Sequence, residues 1–282
     1  MSKGKIAFVT DSTVFLTEEL RAHPDVYVVP IVIISNGKEY EDGITLSSEQ
    51  LYEIIRTEKE VPKTSQPNVE QFKLLYEELK LKYDHIIAIH VSEKLSGTIS
   101  SSKAGLEQVG LEAHIIDSGS LSFAITFLLE KGIELVDKDL NYKDIVEALT
   151  VMAKKHKNLI LLDTLEQLFK GGRLTGAQFV LGNLLKIKPI LSIGETGELG
   201  VLERIRSEKK ATRRIIELIK ESCTEHPVSK IAVANANAPE KAEALREEIK
   251  LLFPDMEIVI GEVSSSLAVH AGEGAIAVFW TI

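Results

Sequence analysis

The chain has little cysteine, which argues against a disulfide-bonded or cysteine-zinc protein. It also has no long apolar run, which argues against a membrane-spanning helix. Its 282 residues include one cysteine, Cys223, which cannot form an intramolecular disulfide and has no second cysteine at zinc-site spacing. The longest apolar stretch, Val26 to Ile34, contains Pro30 and falls far short of the roughly 20 residues that span a bilayer. Asp11 interrupts the first apolar run before it could serve as a secretory signal, so we expect a cytoplasmic protein.

The chain also lacks an excess of basic residues. Its 33 Lys and Arg stand against 42 Asp and Glu, which gives a net charge of −9 at pH 7. Duplex-binding proteins need clustered cations to displace counterions, whereas the basic residues here form short groups such as Lys209-Lys210, typical of a solvated helix face. Nucleic acid is therefore not an expected partner. The average charge opposes an anionic membrane, although a local basic patch could make transient contact with one.

Several catalytic signatures are missing. The sequence has no GxxxxGK[ST] phosphate loop, no GxGxxG after a strand, and no HExxH, CxxC or GxSxG motif. We therefore expect no cofactor and no metal ion, and we do not expect the chain to phosphorylate a substrate unaided. Its 44% hydrophobic and 27% charged residues are typical of a globular protein long enough for two domains.

The first half of the chain alternates strands with helices. Strands are predicted at Lys5–Thr10, Val26–Ile34, His85–Val91 and Ala113–Asp117. The alternation predicts a mostly parallel sheet with helices on both faces, and such sheets bind ligands beyond the carboxyl ends of their strands. Three polar segments fall at that edge: Asp11-Ser12-Thr13, Ser92 to Thr98, and Asp117-Ser118.

The second half has a different pattern of predicted strands and helices. A helix is predicted at Leu174–Leu185, and the strands Pro189–Ile193 and Leu199–Ile205 flank a turn, which indicates a hairpin. Hairpins and returning strands favour a mixed or antiparallel sheet. We predict an α/β fold of two lobes, residues 1–155 and 156–282, with a ligand cleft between or adjoining them.

Hydroxyls and one histidine are the candidate ligand contacts. Ser96-Gly97-Thr98 directly precedes a helix, where hydroxyls and free backbone N–H groups suit an anion, although helix capping alone would explain the segment. Thr64-Ser65 offers two hydroxyls on a loop that Pro67 keeps out of helical conformation. His270 precedes two glycines that would let the backbone approach a ligand, although an isolated histidine is more often structural.

Two other functions are compatible with these residues. Ser96 and His270 could form the nucleophile and base of an acyl hydrolase or transferase, with Asp11 or Asp117 as the orienting acid. Alternatively, the chain could be a regulatory protein whose pocket senses a different ligand.

Taken in order, the polar segments resemble the motifs of the DegV family across essentially the whole chain. The matching segments are Asp11-Ser12, Thr64 to Pro67, Leu95 to Thr98, Ile116 to Ser118, Gly171-Gly172-Arg173, Lys188 to Leu191, and His270-Ala271-Gly272. Arg206 followed by Lys209-Lys210 is similar to the Arg-Thr/Ser-x-Lys segment of the family.

The resemblance implies a two-lobed protein that buries a fatty acid, similar to the fatty-acid-binding subunit of the bacterial fatty acid kinase. In that system a separate kinase subunit converts the presented carboxylate to an acyl phosphate, which serves phospholipid metabolism. By the same resemblance, Thr64, Ser96 and His270 are expected to hydrogen-bond the carboxylate, and Arg173 and Arg206 to contact the kinase or the phosphate. Further candidate ligand contacts are Ser65, Thr98, Asp11 and Ser12.

The chain departs from the family pattern at two places. Glu273 stands where the family usually has proline, and we expect its carboxylate to point to solvent because it would otherwise oppose an anionic ligand. Leu121, Phe123 and Ile125 stand where small residues and glycines are usual, and their bulk would shorten or bend an acyl pocket.

Overall fold

The computed structural model describes residues 4–58, 60–174 and 188–282. Strands of the first half are β1 (Ile6–Asp11), β2 (Val26–Val29), β3 (Val32–Ser35), β4 (Lys38–Glu41), β5 (Lys63–Ser65), β6 (His85–His90) and β7 (His114–Asp117). Helices of the first half are α1 (Glu18–Ala22), α2 (Ser48–Thr57), α3 (Val69–Leu79), α4 (Thr98–Val109), α5 (Phe123–Asp137) and α6 (Tyr142–Met152).

The N-terminal part is built on a four-stranded parallel sheet in the order β2-β1-β6-β7. Every residue of β1 is buried, as expected of a parallel strand that helices cover on both faces. The predicted parallel sheet is therefore confirmed. The carboxyl ends of β1, β6 and β7 meet at one edge, where the loops after Asp11, His90 and Asp117 begin.

The prediction of a single strand over Val26–Ile34 is wrong. The segment divides at Pro30 into β2, which joins the parallel sheet, and β3, which joins β4 and β5 in a separate antiparallel sheet. Proline has no N–H to donate to a strand ladder, so it favours such a break. The predicted loop over Thr64-Ser65 is also wrong, because both residues belong to β5, where Thr64 pairs with Ile33.

Two capped helices precede and follow β5 along the chain. Ser47 and Gln50 form a capping box at the start of α2, and Asn68 and Gln71 form another at the start of α3. Such reciprocal bonds satisfy backbone N–H groups that a helix start leaves free. These capping boxes fix where α2 and α3 begin. They therefore help to define the short segment between the two helices, which carries Thr64.

The C-terminal part contains a six-stranded mixed sheet in the order β10-β9-β8-β13-β11-β12. Its strands are β8 (His156–Leu161), β9 (Lys188–Ile193), β10 (Leu199–Ile205), β11 (Lys230–Asn235), β12 (Glu257–Glu262) and β13 (Ile276–Thr281). Its helices are α7 (Glu166–Lys170), α8 (Glu208–Glu225), α9 (Pro239–Leu252) and α10 (Ser265–Ala271). The predicted hairpin is confirmed as β9 and β10, whereas the predicted helix over Leu174–Leu185 lies outside the described residues beyond Leu174.

Helix α10 was not among the predicted elements. It is seven residues long, too short for a helical period to stand out, and it begins where the Ser264 hydroxyl accepts the N–H of Leu267. It ends at Gly272, whose φ of +74° lies in the left-handed region. His270 occupies the last turn of this helix.

One hydrophobic cluster joins the two parts of the chain. Phe123 of α5 packs against Phe279 of β13 with ring centroids 6.3 Å apart, and Phe15 stacks on Phe123 at 4.3 Å. Burial of aromatic rings of this size dominates core energetics, so the parts are closely packed. The division into lobes at residues 155 and 156 stays a prediction. Among the helices that the structure describes, none combines the length and apolar character needed to cross a membrane.

Candidate functional site

A mostly apolar cavity lies where the carboxyl edge of the parallel sheet faces the mixed sheet. Binding sites for small molecules are typically lined by apolar side chains, with a few polar groups that orient the ligand. Apolar side chains of both parts line it: Ile31, Val91, Leu95, Leu121, Ile160, Leu162, Leu168, Ile193, Leu199, Ala234, Val263, Leu267, Ala271, Ala275, Ile276, Ala277 and Phe279. The polar lining residues are few: Thr13, Thr64, Ser65, Ser96, Arg173, Ser266 and His270.

Thr64 and His270 meet directly at this cavity. The Thr64 hydroxyl and His270 Nε2 lie 2.7 Å apart, although 206 residues separate them in the chain. Strand β5 presents Thr64 and the last turn of α10 presents His270, and the two elements are in contact. The hydrogen bond therefore joins the antiparallel sheet of the N-terminal part to the C-terminal part.

The His270 ring is neutral at physiological pH. Burial, with a smaller contribution from the Arg173 cation, lowers the pKa of His270 to about 4. Its Nδ1 atom is shielded from solvent and has no hydrogen-bond partner among the described residues. The ring packs so closely on Gly171 that a side chain there would collide with it. The absence of a side chain at Gly171 thus makes room for the imidazole.

Ser96 sits in the loop between β6 and α4. Its hydroxyl lies 2.8 Å from that of Thr98, which is fully buried at the first position of α4. This loop also lies against the Thr64 segment, because a side chain at Gly97 would come within 3.0 Å of Gln66. Ser96 faces the cavity, whereas Thr98 stands behind Ser96 and supports it.

Arg173 places a cation at the cavity wall. Its Nε donates to the Leu95 carbonyl at 3.1 Å and its Nη1 to the Gly171 carbonyl at 2.5 Å. Burial lowers the pKa of Arg173, yet a guanidinium retains its proton at neutral pH. No carboxylate forms an ion pair with it in the described part of the chain. Arg173 thus gives the polar end of the cavity a positive potential.

The remaining candidate residues lie at different places. Ser65 lines the cavity next to Thr64, whereas Arg206 is exposed at the end of β10. Asp11 is fully buried and accepts hydrogen bonds from Thr13 and from the backbone N–H of Val91. Asp11 thus joins the loops after β1 and β6 without lining the cavity.

Ser12 also forms hydrogen bonds that hold residues around the cavity in place. Its hydroxyl donates to Asp42 at 2.8 Å and accepts the N–H of Ile31 at 3.0 Å. Burial raises the pKa of the Asp42 carboxyl, and hydrogen bonds from Ser266 and Ser12 partly offset that increase. The network fixes Ile31 and Ser266, both of which line the cavity.

The residues required for a hydrolase do not form a catalytic relay. Ser96 bonds to Thr98, and His270 bonds to Thr64. The candidate orienting acids are also engaged elsewhere, because Asp11 contacts His90 at 3.1 Å and Asp117 accepts backbone N–H groups. A nucleophile, a base and an orienting acid in mutual hydrogen bonding are what such a mechanism needs.

The two departures from the family pattern have different outcomes. The Glu273 side chain turns to the surface, where it pairs with Arg56, and it does not line the cavity. Of the three bulky residues, Leu121 lines the cavity, while Phe123 and Ile125 are fully buried in the hydrophobic core. The steric effect on the cavity is thus concentrated at Leu121.

Ser266 had not been identified from the sequence, and Thr13 and Gly171 had been noted only as members of longer segments. Ser266 and Thr13 line the cavity, and Gly171 makes room for the His270 ring. Ser266 precedes His270 by four residues, so a helix over this segment would have placed both on one face. In the described ranges, no group of three or more His, Cys, Asp or Glu side chains is arranged to hold a metal ion.

Comparison with known proteins gives a match along the whole chain. A family model described as an uncharacterised protein of the DegV family matches residues 5–282. Protein DegV of Bacillus subtilis is 34% identical over 277 residues, which cover 98% of each chain. Its crystal structure, described as that of a fatty acid binding protein, has a TM-score of 0.88 at 99% coverage of each chain.

Two streptococcal structures are also similar. A fatty acid binding DegV family protein from Streptococcus agalactiae has a TM-score of 0.91 and 32% identity, with 98% of each chain covered. The Fatty Acid Kinase (Fak) B3 protein of Streptococcus pneumoniae, solved with linoleic acid, has a TM-score of 0.85 and 26% identity, with 99% of each chain covered. The α/β fold, parallel in the N-terminal part and mixed in the C-terminal part, is shared with these structures.

Proposed function

The chain belongs to the DegV family, and from this premise we propose that it holds a long-chain fatty acid and presents the carboxylate to a separate kinase. The observation that carries the proposal is a mostly apolar cavity with Thr64, Ser96 and His270 among its few polar residues. Solved relatives described as fatty-acid-binding proteins support it. We assign the acyl chain to the cleft between the lobes 1–155 and 156–282.

The apolar lining would supply most of the affinity. Each buried methylene contributes about 0.8 kcal/mol, so some 14 of them offer roughly 11 kcal/mol before ordering costs. Leu121, Ile193 and Phe279 are among the side chains that would contact the acyl chain. The polar residues then determine which end of the ligand lies where.

The carboxylate would be held by hydroxyl donors. A buried carboxylate must be hydrogen-bonded, and the Thr64 and Ser96 hydroxyls can each donate one proton to it. If His270 Nε2–H donates to Thr64 Oγ1, the Thr64 proton remains free for the ligand. That tautomer leaves Nδ1 as a bare acceptor, which agrees with its lack of a donor in the described residues.

The product would carry more negative charge than the substrate. An acyl phosphate adds a phosphoryl group beyond the carboxylate, and Arg173 at the cavity wall has N–H groups beyond the two that bind Leu95 and Gly171. We assign Arg173 to phosphate contact and the exposed Arg206 to the kinase surface. Presentation of the fatty acid to the kinase would take place in the cytoplasm. The protein would collect the fatty acid by transient contact with the membrane.

The geometry favours a carrier over a hydrolase. His270 is bonded to Thr64 rather than to Ser96, and with its pKa lowered to about 4 it is a weak general base at neutral pH. The sequence also contains no familiar nucleotide-binding motif, which supports assigning phosphoryl transfer to a second protein.

Acyl phosphate formation in a reconstituted assay tests the proposal. With ATP, a fatty acid and a bacterial fatty acid kinase subunit, the wild-type chain should support product formation. Ser96→Ala and His270→Ala should lower the rate at least about tenfold, because each removes or misorients one hydrogen bond to a charged group. Thr57→Ala, at an exposed hydroxyl on α2, should retain the wild-type rate.

Wild-type rates in both site variants would contradict the assignment of the carboxylate site. Release of free acid from an activated acyl ester, abolished in Ser96→Ala, would instead support the hydrolase.

A further inference from the structure

Helix α10 is held to the N-terminal part by a second contact beside the Thr64–His270 hydrogen bond. Arg56 in the last turn of α2 donates from Nε to Glu273 at 2.9 Å and also from Nη2 to the other carboxylate oxygen. Asn237 donates to the same carboxylate at 2.6 Å. A two-pronged guanidinium–carboxylate pair fixes orientation as well as distance.

The two contacts connect the same pair of segments. Arg56 precedes Thr64 by eight residues, and Glu273 follows His270 by three. The ion pair thus joins the α2–β5 segment to the end of α10, as the hydrogen bond at the cavity does. A shift of either segment would disturb both contacts together.

The segment that carries Glu273 has little stiffness of its own. Gly272 and Gly274 on either side have φ of +74° and +87°, in a region that glycine enters at no steric cost. Glycines also have the largest conformational freedom to lose, so a turn built on them needs external contacts to stay in one conformation. Glu273 provides such contacts immediately after the helix that carries His270.

We propose that Arg56 and Glu273 are positioning residues, whose ion pair keeps the turn after α10 in place and so holds His270 against Thr64 for the ligand carboxylate. The proposal rests on the proposed function. If only the fraction of molecules with His270 in place binds fatty acid tightly, the apparent dissociation constant rises as that fraction falls. Neither side chain lines the cavity, so the effect is indirect.

Salt, rather than pH, is the appropriate probe of this pair. Its side chains are 56% and 32% exposed, so dissolved ions screen their attraction. The hydrogen bond from Arg56 lowers the pKa of Glu273, so the carboxylate stays charged throughout the neutral range. A salt effect on affinity that depends on Arg56 would therefore report this contact.

The experiment compares dissociation constants of a fluorescent polyene fatty acid at 20 mM and 500 mM NaCl. At low salt, Arg56→Ala should bind about two- to fivefold more weakly than wild type, the range that partly exposed ion pairs span. High salt should weaken the wild type by a similar factor and leave Arg56→Ala unchanged. The charge swap Arg56→Glu with Glu273→Arg should restore low-salt affinity to within about twofold.

Arg246→Ala is the matched control, because Arg246 forms exposed ion pairs with Glu243 and Glu247 on α9. It should bind as wild type does. Hydrogen exchange of the ligand-free protein gives a readout independent of binding: the Gly274 amide, which donates to the Ala236 carbonyl, should exchange faster in Arg56→Ala.

Equal affinities of wild type and Arg56→Ala at low salt, or a charge swap as weak as the single variants, would overturn the positioning role. Unchanged Gly274 exchange in Arg56→Ala would overturn it as well. Failure of the wild type itself to bind any fatty acid would refute the proposed function, and it is recognised by the absence of a wild-type signal.

Discussion

His270 and His156 are two imidazoles that the fold keeps neutral. Burial lowers the pKa of His156 to about 4, and burial with the Arg173 cation does the same for His270. In the unfolded chain both would titrate near 6.5. Between pH 6.5 and 4 the unfolded chain therefore binds more protons than the folded one, and stability falls as pH falls through that window.

The His156 contribution can be isolated. We expect the free energy of unfolding of wild type to drop between pH 7.5 and 4.5, with roughly 1–3 kcal/mol of the drop due to His156. His156→Gln should lose less over the same range. His114→Gln, at an exposed histidine, should follow the wild type. Identical denaturation midpoints of His156→Gln and wild type at both pH values would refute the assignment.

Gly171 affects the site through its contact with the His270 ring and not through direct contact with the ligand. A Cβ there would overlap the His270 ring, so Gly171→Ala should displace the imidazole from Thr64 and weaken fatty acid binding about tenfold, the loss of one charged hydrogen bond. Gly194→Ala is the control, because a Cβ at Gly194 meets no atom within 4 Å. Calorimetric titration with a fatty acid measures both, and normal affinity in Gly171→Ala would show that the ring accommodates the methyl group.

At the scale of secondary structure, the segment before α5 limits the space in the cavity that is available to an acyl chain. Leu121 lines it, whereas Ile125 packs in the core of the parallel sheet. Leu121→Ala should therefore shift the preferred acyl chain towards greater length, by about two methylenes, because the vacated volume can hold part of the tail. Competition between fatty acids of graded length gives the preference.

Ile125→Val serves as the comparison, because it also shortens a buried aliphatic side chain but at a site away from the cavity. Its stability should fall by about 1 kcal/mol and its chain-length preference should stay that of wild type. An unchanged preference in Leu121→Ala would place the end of the acyl chain elsewhere.

Elements with a strong local signal were predictable, and short ones were not. Strand β1 and the β9–β10 hairpin were predicted from their apolar runs and turn residues. Strand β5 has three residues and α10 has seven, so each is shorter than the stretch over which strand alternation or helical periodicity is recognised. These two short elements carry Thr64 and His270.

At the scale of the whole molecule, the site exists because distant segments converge. Thr64 and His270 are 206 residues apart, and periodicity along a sequence contains no information about such a contact. The resemblance to the DegV family supplied that pairing, whereas the residues alone left a hydrolase open. Asp11 and Ser12, expected near the ligand, instead bond to the loops and strands that shape the cavity.

The tight packing between the two parts has a consequence for the ligand. The cavity is lined from both sides, by Val91 and Leu95 of one part and by Ile193 and Phe279 of the other. A bound acyl chain would therefore contribute to the packing between the parts. Purified protein should retain its ligand under gentle conditions, because release would expose apolar surface on both sides to water.

Native mass spectrometry of gently purified protein, followed by organic extraction, tests the central claim most directly. We predict one fatty acid per chain, released on denaturation and identified by its mass, with reduced occupancy in His270→Ala and full occupancy in Arg246→Ala. A ligand-free wild-type protein that also fails to take up added fatty acids, or a stoichiometric ligand that is not a lipid, would contradict the account.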